Sequence, residues 1–166
     1  MDVDLYEDKL IECLIEPTAR LFPFQYGPEE QVVLVQYRLP SYPYDGPKLQ
    51  EWLQDLYRPG QIIGTFDLLE KLNSHIYKSF KYSHREEPGI QIPCDTLNRG
   101  SGSCRDFAVL MMEAVRHWGF GSRFVTGYIQ MAEGQHGMSD GLTLSTCIVL
   151  TQLSCFSTSR RAKSCW

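Results

Sequence analysis

The stretch that most limits what this chain can fold into is residues 98–129, NRGSGSCRDFAVLMMEAVRHWGFGSRFVTGYI, where a glycine-rich loop runs into a patterned segment carrying one cysteine at its start. Beyond Cys104, the apolar Phe107, Ala108, Leu110, Met111, Ala114, Val115 and Trp118 recur at spacings of three and four, while Arg105, Asp106, Glu113 and Arg116 fall mostly elsewhere. That period predicts an amphipathic helix over 105–118, stopped by Gly119 and Gly121. Residues 123–129, rich in β-branched and aromatic side chains, then predict a strand.

A thiol at a helix N-terminus lies at the positive end of the macrodipole, beside backbone N–H groups with no intrahelical partner, an environment that favours the thiolate. The same N–H groups can donate to the oxyanion of a tetrahedral intermediate formed on the sulfur, and Gly100 and Gly102 let a substrate backbone come close. The plainer reading is that Cys104 packs as a small hydrophobe, as free cysteines commonly do.

With 166 residues the protein can bury one ordinary core, as one domain or a fragment of a larger one. Hydrophobic residues at 43% against 22% charged mark a globular composition. A formal net charge of −4 excludes a general nucleic-acid binder, since no basic face exists to neutralise phosphates. No basic-then-apolar leader and no apolar run near the ~18 residues of a membrane span are present, so the expectation is a soluble cytoplasmic protein without a membrane partner. In that setting the six cysteines read as reduced thiols. A zinc site from Cys94, Cys104 and His84 is the metal alternative; no Cys-x-x-Cys pair supports it, and no metal or cofactor is expected.

Residues 5–16 fit a short helix or a strand equally well, and Pro17 ends either. Pro23, Pro28, Pro40, Pro43 and Pro47 punctuate the next segment, which reads as a connection without regular structure. Leu49, Trp52, Leu53 and Leu56 form a short helical stripe closed by Pro59-Gly60, with Trp52 as a core anchor. Thr65 is placed to cap a second helix running to about Phe80, with Leu68, Leu69, Leu72 and Ile76 inward and His75 at the surface. Residues 81–99 read as a polar loop turning at Pro88-Gly89, with Cys94 structural or incidental.

The run Gly-Ser-Cys104-Arg105-Asp106-Phe107-Ala108, followed by Arg123-Phe124-Val125-Thr126-Gly127-Tyr128, resembles the nucleophile segment of bacterial transglutaminase-like proteins. The resemblance covers roughly residues 20–130. It implies an α+β, papain-like fold with the central helix on an antiparallel sheet, a Cys-His-Asp triad, and Cys104 as nucleophile. The implied chemistry is acyl transfer or hydrolysis of protein or peptide amides through a cysteine acyl-enzyme, the substrate being the expected partner. On this reading 1–60 is the remnant of an N-terminal region with a Pro-rich linker, 61–130 the nucleophile half of the core, and 131–166 an atypical tail.

The family pattern calls for a strand bearing His-Ala-Trp and a later Asp in a Phe-Asp-Pro setting, and neither follows Gln130. His117 lies thirteen residues along the predicted helix from Cys104, about 20 Å away at ~1.5 Å per residue, beyond hydrogen-bond reach. His75 and His84 precede the nucleophile. His136, with Asp140 nearby, is the downstream candidate for the base. Lacking a base, the thiol has no group to protonate the leaving amine, so the expectation is an enzyme-family protein inactive as it stands, or a catalytically dead binding module of the same fold. The tail suggests a reading-frame change or aberrant end; it is expected to lack packed structure from about Ser154 and to leave the 105–118 apolar face incompletely covered, favouring self-association.

Overall fold

The computed structural model describes residues 15–83, 88–128, 143–151 and 154–157. A central helix, α5 (Cys104–His117), carries the predicted period almost to the residue. It ends in a Schellman arrangement: Gly119 takes φ 91°, its N–H donates to the Arg116 carbonyl at 2.8 Å, and the Phe120 N–H donates to the Val115 carbonyl at 3.0 Å. The backbone then enters β5 (Gly121–Tyr128), which pairs antiparallel with β6 (Thr143–Thr151), itself paired antiparallel with β7 (Ser154–Ser157).

The other elements pack around that helix and sheet. α2 (Gly46–Leu53) and α3 (Thr65–Ser79) bring Leu49, Leu53, Leu68, Leu69, Leu72 and Ile76 against Leu110, Met111, Ala114 and Val115 of α5, with Phe22 and Phe120 in the same cluster. All are buried, and each large aliphatic removed from water contributes roughly 1.5–3 kcal/mol. β1 (Leu21–Phe22) pairs antiparallel with β2 (Ile63–Gly64). β3 (Lys81–Tyr82) pairs in parallel with β4 (Ser101–Gly102), the strand leading into α5. The fold is α+β, with the central helix against an antiparallel sheet, as the resemblance implies.

Several local expectations need correction. The proline-punctuated segment contains an eleven-residue helix, α1 (Pro28–Arg38), because Pro28 occupies the first helical turn, where a missing N–H costs nothing. Glu30 Oε2 caps it by accepting from the Gly27 N–H at 2.9 Å. For the same reason 81–99 is not all loop: Pro93 begins α4 (Pro93–Arg99). Thr65 does not cap α3. It is the first helical residue, fully buried, and its hydroxyl donates to the Ala19 carbonyl at 2.5 Å. His75 is half-buried rather than at the surface, its ring 5.4 Å from that of Trp52, which packs against the core.

The tail differs too. Ser154–Ser157 pair along β6, since backbone pairing on an open strand edge needs no apolar alternation. The apolar face of α5 is covered: Leu110, Met111, Ala114 and Val115 are at most 2% exposed, with β5 and β6 packed on the helix. Exposed apolar side chains lie elsewhere, among them Val32, Val33 and Val35 on α1, Leu21 on β1 and Ile62 just before β2. Residues 5–14, which could be helix or strand, and 158–166 of the tail lie outside the described residues.

Among the described residues, no helix is long and apolar enough to cross a membrane.

Candidate active site

Cys104 is the first residue of α5 and partly accessible. The helical ladder begins with Phe107 N–H to the Ser103 carbonyl at 3.0 Å, so the amides of Cys104 and Arg105 lie ahead of it. What holds this terminus is Asp106, which is fully buried. Its Oδ2 accepts from both the N–H and the hydroxyl of Ser103, each at 2.8 Å, and its Oδ1 accepts from the Gln91 N–H at 2.8 Å. Charge-assisted bonds of this kind are about twice as strong as neutral ones, so a buried carboxylate here fixes three donors on two backbone segments.

Gln91 extends the network. Its Nε2 donates to Thr96 Oγ1 at 2.9 Å and to the Ser101 carbonyl at 3.0 Å, tying the segment before α4 to the glycine-rich loop. The loop is also held from the other side, where Lys81 N–H donates to the Gly100 carbonyl and Ser83 N–H to the Gly102 carbonyl, both at 2.9 Å. Gly102 has no room for a side chain: a Cβ there would lie 3.0 Å from Asp106 Cβ and 3.3 Å from Phe107 Cε1. α4 is anchored in turn by Asp45, whose Oδ2 accepts from the Cys94 N–H at 2.9 Å.

Sequence reasoning placed Asp106 on the polar side of an amphipathic helix and missed this role. The signal was present, since Ser103 followed three residues later by an acid just before an apolar run is the pattern of a capping box.

Among the described residues the Cys104 thiol takes no side-chain hydrogen bond. His117 is exposed at the far end of α5, and His75 Nδ1 lies 3.5 Å from Ser79 Oγ. Neither is brought to the cysteine by any hydrogen bond. His84, His136 and Asp140 lie outside the described residues, so neither the downstream base nor the Cys94, Cys104, His84 zinc alternative acquires a geometry. Among the described residues no group of three or more His, Cys, Asp or Glu side chains could hold a metal ion.

The model of the transglutaminase-like superfamily matches residues 63–152, more than half of the sequence. The chain belongs to the transglutaminase-like superfamily. This match begins later than residue 20 and runs beyond 130, taking in β6, so the transglutaminase-like likeness persists through the second strand of the sheet even without His-Ala-Trp. Among solved structures, a candidate cysteine protease from Cytophaga hutchinsonii is similar at a TM-score of 0.57 and 21% identity, over 77% of this chain and 42% of that one. At that identity the likeness concerns the fold, and the chain spans less than half the length of that protein. No curated protein matches the sequence significantly. Membership places the protein in a family of thiol enzymes, with Cys104 inside the matched region.

Proposed function

We propose that Cys104 is the nucleophile of a transglutaminase-like thiol site acting on protein or peptide amides. Its Sγ bonds to the carbonyl carbon, the C–N bond breaks, and the thiol proton leaves on the amine. Water or a second amine then attacks the thioester carbon, breaking C–S and returning a proton to sulfur. The amides at the start of α5 are placed to donate to the oxyanion. His136 is the residue this reading assigns as base, and with His-Ala-Trp missing from the sequence the protein turns over slowly or not at all.

The observation that carries the reading is the Asp106–Ser103–Gln91 network, which holds a partly accessible cysteine at the first turn of the helix. The test is iodoacetamide alkylation of the native protein across pH, read by mass spectrometry at Cys104. The expected result is labelling faster than a cysteine-containing model peptide near neutral pH. Equal or slower labelling overturns the assignment.

A second reading, a binding module of the same fold without catalysis, is supported by the missing His-Ala-Trp run in the sequence. It expects Cys104→Ser to leave partner binding intact, and loss of binding in that variant counts against it.

A further inference from the structure

At the end of α5 opposite Cys104, about 20 Å along the helix by its rise per residue, lies a cleft of about 390 Å³. Its described walls combine aromatic rings with the polar side chains of Gln25, Gln31 and Arg38. Phe22 and Phe120 stack at 5.0 Å, and Phe24 meets Phe120 edge-on at 5.5 Å and Tyr26 at 5.2 Å, with Trp118 also in the lining. Phe22, Tyr26 and Phe120 are buried and fix this wall from behind, so the ring surface open to the cleft is that of the partly exposed Phe24 and Trp118, beside the exposed Gln25 and Gln31.

Among the described lining residues Arg38 is the one cation and none is acidic. Its position is fixed twice: Nε donates to the Gly119 carbonyl at 2.9 Å, and Cζ lies 5.2 Å from the Tyr26 ring centroid. Gly119 owes its place to the turn that ends α5, so the guanidinium is anchored to the end of the central helix. Among the described residues, both Nη groups of Arg38 are without a hydrogen-bond partner. A half-buried guanidinium held rigid by its Nε, with its outer donors unused, has the geometry that a carboxylate fills bidentately.

We propose that this cleft is a binding site for a carboxylate carried on an aromatic or bulky apolar body. The carboxylate pairs with the Arg38 Nη groups, and the body lies against the partly exposed rings of Phe24 and Trp118. A polypeptide C-terminus with an aromatic last residue and a free aromatic acid present the same chemistry. The site is separate from Cys104 and does not depend on that residue's role.

The probes are N-acetylphenylalanine, its uncharged amide, and a glycine-rich pentapeptide ending in phenylalanine with a free carboxylate. They are titrated into the full-length protein while tryptophan fluorescence is followed. N-acetylphenylalanine is expected to saturate at about 1 mM or below, at least ~10-fold tighter than the amide. Arg38→Gln is expected to remove that difference while keeping weak amide binding. Binding of the pentapeptide as well supports a polypeptide terminus as the source, and binding of the small acid alone supports a free acid. No saturation by any probe at about 10 mM overturns the proposal, as does equal affinity for acid and amide. The acid-versus-amide comparison uses the unaltered protein, so it decides the matter even where Arg38→Gln does not fold.

Discussion

Asp106 and Ser103 are joined by two hydrogen bonds to a single oxygen: Oδ2 accepts from the Ser103 N–H and from its hydroxyl, each at 2.8 Å. Cys104 lies between them in sequence, so its position at the head of α5 is set by a neighbour's carboxylate rather than by any side-chain bond of its own. Replacing Asp106 by Ala leaves the Ser103 and Gln91 donors buried without that acceptor. Each such group costs ~1–3 kcal/mol, so the expected loss is about 3 kcal/mol or more in urea denaturation. Asp106→Asn keeps the shape and one carbonyl acceptor, and is expected to fall between the two. An Ala variant within about 0.5 kcal/mol of the parent refutes the account.

Gly102 faces the same pair. A methyl group there meets Asp106 Cβ at 3.0 Å, backbone-proximal and unable to swing away, so the loop must shift. Gly102→Ala is expected to destabilise by ~1–3 kcal/mol, as overpacking does. It is also expected to change the alkylation rate of Cys104, because the Gly102 carbonyl that receives the Ser83 N–H moves with the loop. Unchanged stability and unchanged labelling together contradict a tight fit.

How much of this was legible in the sequence follows from which interactions are local. The α5 period and the β5 strand were readable because the burial of Leu110, Met111, Ala114 and Val115 repeats with the helix itself. α1 was not. It buries no residue, so Val32, Val33 and Val35 trace no inward stripe, and its one proline, Pro28, reads as a break although it begins the helix. Glu113 and Asp106 read as solvent-facing charges, yet their partners include Ser41 and Gln91, 72 and 15 residues away. Pairings at that distance leave no periodic trace. Cys104 was legible as the start of α5 and as a candidate nucleophile because its signal lies in the contiguous Gly-x-Cys-Arg-Asp run, whereas the candidate base His136 has no such run to mark it.

Glu113 carries the second buried charge of α5. At 2% exposure its carboxylate accepts from the Ser41 N–H at 3.0 Å, the Tyr42 N–H at 3.2 Å and Arg116 Nη1 at 3.0 Å. Arg116 in turn donates to the Tyr37 and Ser122 carbonyls, so the pair ties the end of α1 to β5. Breaking a buried pair from one side costs ~3–5 kcal/mol, and Glu113→Ala is expected to lie in that range by chemical denaturation. Replacing both, as Glu113→Leu with Arg116→Met, removes the uncompensated charge but leaves the Ser41 and Tyr42 amides without an acceptor. The double variant is therefore expected to recover only part of the loss. Full additivity of the two single losses contradicts the coupling.

Tyr26 supplies a pH signature at the other end of the helix. Burial raises its phenol above the ordinary value of 10.0, outweighing the bond from the Gly121 N–H and the charge of Arg38, which lower it; Glu30 raises it further. The Gly121 N–H donates to the phenolic oxygen at 3.0 Å. A group whose folded pKa lies above its unfolded one binds its proton more tightly in the native state, so its contribution is fully present below about pH 10. It is lost as pH rises from there through the folded value. Urea midpoints measured from pH 8 upward are expected to fall more steeply above about pH 10 in the parent than in Tyr26→Phe. At neutral pH the same variant is expected to cost about 1 kcal/mol, the net worth of the lost bond to Gly121, because the ring and its packing against Phe24 remain. Parallel curves for parent and variant through the alkaline range would show that the buried phenol contributes nothing to the pH dependence.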